Sequence, residues 1–297
     1  MTWYVTCFYE FVPLAPEALP QLRTRLLEHM TSNDVRGLVL LAPEGINGTV
    51  AGTAEAIADF KQFVVELIEG HPLRFKDSES ETRPFRRCTV DLRKEIVALK
   101  QPDRIPKSVE NNHLTPAEWH AMLASDQPLT LIDTRNDYEV AIGKFKGAID
   151  PGLKSFSDWA SYLDSAEINR EEPVLIYCTG GIRCEKAILE MKAHGLERVY
   201  QLRDGILGYL AEYPNGFYEG DCYVFDERVA LDQHLQPSTT VGNCPGCGLP
   251  GLNKRTCVRC HEDYFVCDAC LSRYSELCSK ACVSRWNPHA KRKKATV

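Results

Sequence analysis

The chain has 297 residues, about two typical domain lengths, so two or three compact units are expected. At 44% hydrophobic and 26% charged residues it excludes a disordered or fibrous chain, and no apolar run approaches the roughly 20 residues of a membrane helix. The formal charge of −6 is uneven: ten Lys/Arg against four Asp/Glu from Cys244 to Val297 put a +6 end on a −12 body, a candidate contact for nucleic acid.

Residues 1–100 alternate strand and helix signals. Trp3–Tyr9 is β-branched and aromatic, and Leu19, Leu22, Leu26, Leu27 and Met30 recur at helical spacing. Val35–Leu41 is apolar, Glu44–Gly48 reads as a turn, and residues 54–69 carry a second helical pattern. Cys88–Leu92 and Glu95–Leu99 are expected to close the domain as short strands. The order βαββαβ predicts a split βαβ, ferredoxin-like α+β sheet with helices on one face. Met1–Cys7 shows neither a basic stretch nor a small-residue cleavage pattern, so a cytoplasmic chain without a membrane association is expected.

Residues 101–216 form the second expected domain, opening on a proline-containing linker to residue 112. Thr115-Pro-Ala-Glu118 places Thr at an N-cap, Pro at N1 and Glu at N3 of a helix. Strands then follow at Leu129–Asp133, Pro173–Tyr177 and Val199–Leu202. Helices are expected near 137–142, 157–168, 184–194 and 205–211. Apolar strands alternating with helices predict an α/β fold whose parallel sheet is covered on both faces. Residues 217–297 lose this rhythm and form the third expected unit, rich in cysteine and ending in Lys291-Arg292-Lys293-Lys294.

The loop Cys178-Thr179-Gly180-Gly181-Ile182-Arg183-Cys184 carries the chemistry. A buried strand delivers Cys178 to its C-terminal end, the edge where open α/β sheets bind ligands. Two glycines let backbone N–H groups turn toward the sulfur. With the helix N-terminus and Arg183 they favour thiolate over thiol. A structural buried Cys before a Gly turn is the plainer alternative. Cys184 is either a resolving thiol or a packing residue of the first helical turn.

This loop, with Leu131–Glu139 upstream and Gly143–Ala148 after it, resembles a rhodanese domain over residues 112–214. The resemblance implies a persulfide-bearing cysteine at Cys178 and a fold-supporting role for Asp133 and Arg135. The spacing Cys-x4-Arg is one residue shorter than the Cys-x5-Arg of cysteine phosphatases, and suits a single sulfur or another small group.

Of thirteen cysteines, eight form the pairs Cys244/Cys247, Cys257/Cys260, Cys267/Cys270 and Cys278/Cys282. In a chain without a secretory signal, this pattern predicts metal ligands rather than disulfides. Eight thiolates satisfy two closed, structural zinc sites of four cysteines each. Interleaved and sequential pairings are both open, and His261 or His289 are possible substitutes for a cysteine. Lys254, Arg255, Arg259, Arg273, Lys280, Arg285 and the tail are candidate phosphate contacts, as are Arg83, Arg86 and Arg87; a merely solvated surface is the alternative.

Three features in order, Leu41–Thr49, Cys178–Lys186 and Gly220–Asp226, make the whole chain resemble the rhodanese-type tRNA uridine hydroxylases. The resemblance implies oxygen-dependent formation of 5-hydroxyuridine at the wobble position of tRNA, an oxidoreductase activity with Cys178 and Arg183 in the active site. The residues themselves display no two-His-one-carboxylate set and no dinucleotide fingerprint, so they name no electron donor. A persulfide-dependent sulfurtransferase and a non-enzymatic RNA- or protein-binding zinc protein are the two alternatives. Oligomeric state is not legible.

Overall fold

The structure, a computed structural model, describes residues 2–107, 112–274 and 276–285. These fall into two compact units, 1–237 and 238–297. The first unit begins with β1 (Trp3–Phe11), α1 (Leu19–Ser32), β2 (Arg36–Ala42), β3 (Gly45–Gly52), α2 (Ala54–Leu67), β4 (Arg74–Ser80) and β5 (Cys88–Leu92). Its sheet runs β4-β1-β3-β2-β5, antiparallel except for the β2–β5 pair. The first four strands have the split-βαβ order, and β5 extends the β2 edge.

Strand periodicity decides which side chains meet the second domain. Along β1 to β3, Phe8, Val39, Leu41, Ile46 and Val50 point inward beneath Leu26, Met30, Phe60 and Val64 of the two helices. Cys7, Tyr9, Leu38, Leu40, Asn47 and Thr49 alternate with them and line a cavity on the opposite face. The strand that completes the order is β4, not the expected Glu95–Leu99, which forms no strand. That segment is spent on tertiary contacts instead: Ile96 N–H donates to Glu44 Oε1 at 2.6 Å, and Glu95 accepts from Lys186.

The next elements are β6 (His113–Leu114), α3 (Pro116–Leu123), β7 (Thr130–Asp133), α4 (Asp137–Val140), β8 (Gly143–Phe145) and α5 (Trp159–Ser165). After them come β9 (Val174–Tyr177), α6 (Ile182–Ala193), β10 (Val199–Leu202) and α7 (Gly205–Glu212). Four strands in the order β6-β10-β9-β7 form a parallel sheet. One face buries Ile132, Val174 and Ile176 against Trp159, Leu163, Ile188 and Met191; the other buries Leu131, Leu175 and Tyr177 against Trp119, Ile206 and Tyr209. Thr115 caps α3 through the expected reciprocal box with Glu118. The chain then adds β11 (Tyr218–Gly220), paired with β8, and the hairpin β12 (Cys222–Tyr223) with β13 (Ala230–Leu231).

The second unit holds β14 (Gly242–Asn243), β15 (Pro250–Gly251), β16 (Asn253–Thr256), β17 (Asp263–Val266), α8 (Asp268–Leu271) and α9 (Lys280–Arg285). Its core is Tyr264, Val266 and Tyr274 packed among cysteines, too small to stand by apolar burial alone. Among the described residues, no helix is long and apolar enough to cross a membrane.

Candidate active site

Four consecutive buried residues of β9 deliver Cys178 to the sheet edge, where it is 1% exposed. The loop then turns through Gly181, at φ +99°, directly into α6, two residues earlier than the helix was expected. Gly181 N–H donates to Cys178 Sγ at 3.1 Å. Burial by itself would raise the thiol pKa. The Cys184 thiol, the Arg183 charge and the backbone N–H groups of Arg183 and Gly181 outweigh it, and bring Cys178 down to about 6. Cys184 moves the opposite way, pushed well up by burial and by the neighbouring Cys178 sulfur. The two sulfurs are therefore close enough for each to shift the titration of the other.

The other end of the loop is held by α7. Ile206 and Leu207 N–H groups donate to the carbonyls of Cys178 and Thr179 at 3.0 and 3.1 Å. This approach depends on Gly205, at φ +63°, where a methyl group would stand 2.5 Å from Cys178 O.

The Arg183 guanidinium does not donate to the sulfur. Its guanidinium forms a bidentate pair with Glu139 of α4 at 2.6 and 2.8 Å, and reaches Thr179 Oγ1 at 3.4 Å. Burial would raise the Glu139 carboxyl; Arg183 outweighs it and holds the group ionised. Arg183 thus acts on Cys178 through its charge, and Glu139 fixes its orientation. Asp133 and Arg135 form a buried pair that also grips Gly143 O and Tyr218, which supports the fold-bearing role implied for them.

The first domain closes the site, a feature that no local sequence signal exposes. Tyr9 donates to Glu185 at 3.1 Å, and buried Lys186 lies 2.7 Å from Glu44 and 2.6 Å from Glu95. Burial and then Glu185 push the Tyr9 phenol well above its ordinary value, so it is a neutral donor. Between the sheet and the loop lies a cavity of about 280 Å³, lined by Cys178, Thr179, Gly180, Ile182, Arg183, Phe85 and Phe225 with the outward residues of β1 to β3. Its walls are mostly apolar.

The eight paired cysteines assemble in the interleaved way: Cys244, Cys247, Cys267 and Cys270 in one cluster, Cys257, Cys260, Cys278 and Cys282 in the other. Sulfur separations are 3.6 Å for Cys247–Cys267, 3.4 Å for Cys260–Cys278 and 3.9 Å for Cys260–Cys282. A disulfide needs about 2.05 Å, whereas metal–sulfur bonds of about 2.3 Å place tetrahedral ligands about 3.8 Å apart. The donor set therefore fits a tetrahedral metal. Gly246 makes the first cluster possible, since a side chain there would stand 2.6 Å from Cys270 Sγ. His261 joins neither cluster.

Arg83, Arg86 and Arg87 lie on the segment that carries Phe85, but only Phe85 of that segment lines the Cys178 cavity. Arg83 stacks over Trp3, Arg86 is 81% exposed and bonds Glu227 at 3.0 Å, and Arg87 is exposed. Lys291, Arg292, Lys293, Lys294 and His289 lie outside the described residues.

Comparison with known proteins agrees with this architecture. Residues 3–96 match the UPF0176 acylphosphatase like domain, 115–212 the Rhodanese-like domain, and 219–283 the Rhodanase C-terminal family. A rhodanese-like domain protein of Staphylococcus aureus aligns at 24% identity and a TM-score of 0.29, covering 33% of this chain and 90% of that one. The tRNA uridine(34) hydroxylase of Acaryochloris marina is 43% identical over 82% of this chain and 78% of its own. That of Bdellovibrio bacteriovorus is 42% identical over 99% of this chain and 84% of its own. With a match of that depth across nearly every residue, the chain belongs to the tRNA uridine(34) hydroxylase family.

Proposed function

We propose that this protein hydroxylates C5 of uridine 34 in tRNA, with Cys178 as the reacting group and dioxygen as co-substrate. The observation that carries the reading is the Cys178 thiolate facing a cavity of about 280 Å³. That volume is at the low end for ligand pockets, room for one base but not for a folded nucleic acid. A base reaches such a site only by leaving its stack, which is least costly in a single-stranded anticodon loop. Apolar walls exclude water around the sulfur, while Arg183, oriented by Glu139, keeps it anionic. A reductant must supply the electrons that dioxygen chemistry consumes.

In the same reading, each cysteine cluster holds one zinc ion. Both sites are filled by protein ligands, so the metal supplies folding energy rather than a coordination position for substrate. Arg83, Arg86 and Arg87, with the basic residues from Lys254 to Lys294, contact RNA phosphates. The cytoplasm is the compartment where that substrate is met.

Nucleoside analysis of tRNA tests the proposal. Cells lacking the protein should lose 5-hydroxyuridine and derivatives built on it, regain them with the wild-type chain, and fail to regain them with Cys178→Ser. Restoration of the nucleoside by Cys178→Ser would refute the assigned role. A change in thiolated rather than hydroxylated nucleosides would favour sulfur transfer.

A further inference from the structure

We infer that Phe225 is the platform on which the extruded uracil stacks, positioning its ring over the Cys178 loop; this rests on the hydroxylase reading above. At 58% exposure, Phe225 is the most exposed large apolar side chain among the described residues. It nevertheless lines the cavity together with Cys178, Thr179, Gly180 and Ile182. An apolar ring held in water at a reactive cavity has an energetic cost that a ligand can recover.

The ring is not on a loose tip. Val224 N–H donates to Val229 O at 2.9 Å, closing the turn that presents it. Asp226, next in the chain, grips Arg228 at 2.6 and 2.8 Å, and Arg228 reaches Ser78 Oγ of β4 at 2.8 Å. Glu227 N–H donates to Pro84 O at 2.9 Å, tying the turn to the segment that carries Phe85. The Phe225 ring meets Tyr223 edge-on at 5.0 Å, and Tyr223 meets Tyr138 in the same way at 5.3 Å. The Arg183 guanidinium carbon lies 5.9 Å from the Phe225 centroid. The result is a braced aromatic surface beside the reactive loop.

A nucleobase is the occupant this surface fits. Stacking needs a flat π-face that is pre-ordered, so little entropy is lost on binding. The exposed cations Arg86 and Arg87 stand beside the same segment, placed for the phosphates that accompany a base. Phe225 is thus a positioning residue that contacts the substrate, while bond making belongs to Cys178.

Single-turnover hydroxylation of an anticodon stem–loop carrying uridine at position 34 tests this with three variants. Phe225→Ala should lower kcat/KM roughly 5- to 150-fold, the range that one base–aromatic stack spans. Phe225→Tyr should retain wild-type activity. Phe225→Leu keeps an apolar side chain but no π-face, and should resemble the alanine variant. Thermal midpoint and the alkylation rate of Cys178 should stay unchanged in all three. Leu and Tyr variants with equal, wild-type activity would overturn the stacking role while leaving the hydroxylase reading intact. A wild-type protein that makes no hydroxylated nucleoside would overturn both.

Discussion

Replacing Cys184 by alanine isolates one contribution to the reactivity of Cys178. The Cys184 thiol is buried beside Cys178 and, as a donor toward its sulfur, is the largest of the influences that lower the Cys178 pKa. A hydrogen bond to a charged group contributes about 1.5–3 kcal/mol, and a thiol is a weak donor, so the low end applies. At about 1.4 kcal/mol per pKa unit, Cys178 should rise by about one unit. Its midpoint would then move from about 6 to about 7, still below the ordinary thiol value because Arg183 and the backbone N–H groups remain. The assay is the rate of Cys178 alkylation by iodoacetamide as a function of pH, read by mass spectrometry. Thiolate is the reacting form, so both profiles rise with pH and the variant rises later. Slower alkylation near pH 6 and converging rates at alkaline pH are expected. A midpoint that is unchanged or lower in Cys184→Ala would refute this account of the thiolate.

Three further outcomes follow from the packing and the charges. Lys186→Met strands the buried Glu44 and Glu95 carboxylates, and urea denaturation should show a loss of about 3–5 kcal/mol; wild-type stability would mean the triad is not intact in solution. Metal analysis should find two zinc equivalents per chain, and chelation should unfold the 238–297 unit, whose core is largely its own ligands; a metal-free protein with the same fold would contradict both sites. Joint neutralisation of Lys291, Arg292, Lys293 and Lys294, or of Arg86 and Arg87, should weaken tRNA binding and flatten its salt dependence. An unaltered salt slope in both would mean that these charges are only solvated surface.

The reactive loop and the cysteine pairs were legible because each is a local pattern: spacing, glycines and a strand–helix junction specify them within a dozen residues. The parallel sheet was legible for the same reason, since Val174–Tyr177 is uniformly apolar. Strand β4 was not, because Arg-Phe-Lys-Asp-Ser-Glu-Ser has poor strand propensity and forms by pairing with β1. Glu95–Leu99 reads as a strand yet serves buried polar contacts with Glu44 and Lys186. The role of Glu139 was hidden although its segment was recognised, because a partner 44 positions away in sequence occupies it. The cavity itself depends on contacts as distant as Tyr9 to Glu185, separated by 176 positions, which no periodicity encodes.

The central claim is that the Cys178 thiolate acts on uridine 34 of tRNA. Its most direct test is a reconstituted reaction with purified protein, an anticodon stem–loop bearing uridine at that position, isotopically labelled dioxygen and a chemical reductant. Wild-type protein should yield 5-hydroxyuridine carrying the label. Cys178→Ser should bind the same RNA, melt at the same temperature and yield none. Labelled product at the wild-type rate from Cys178→Ser, or product whose oxygen comes from water, would contradict the account.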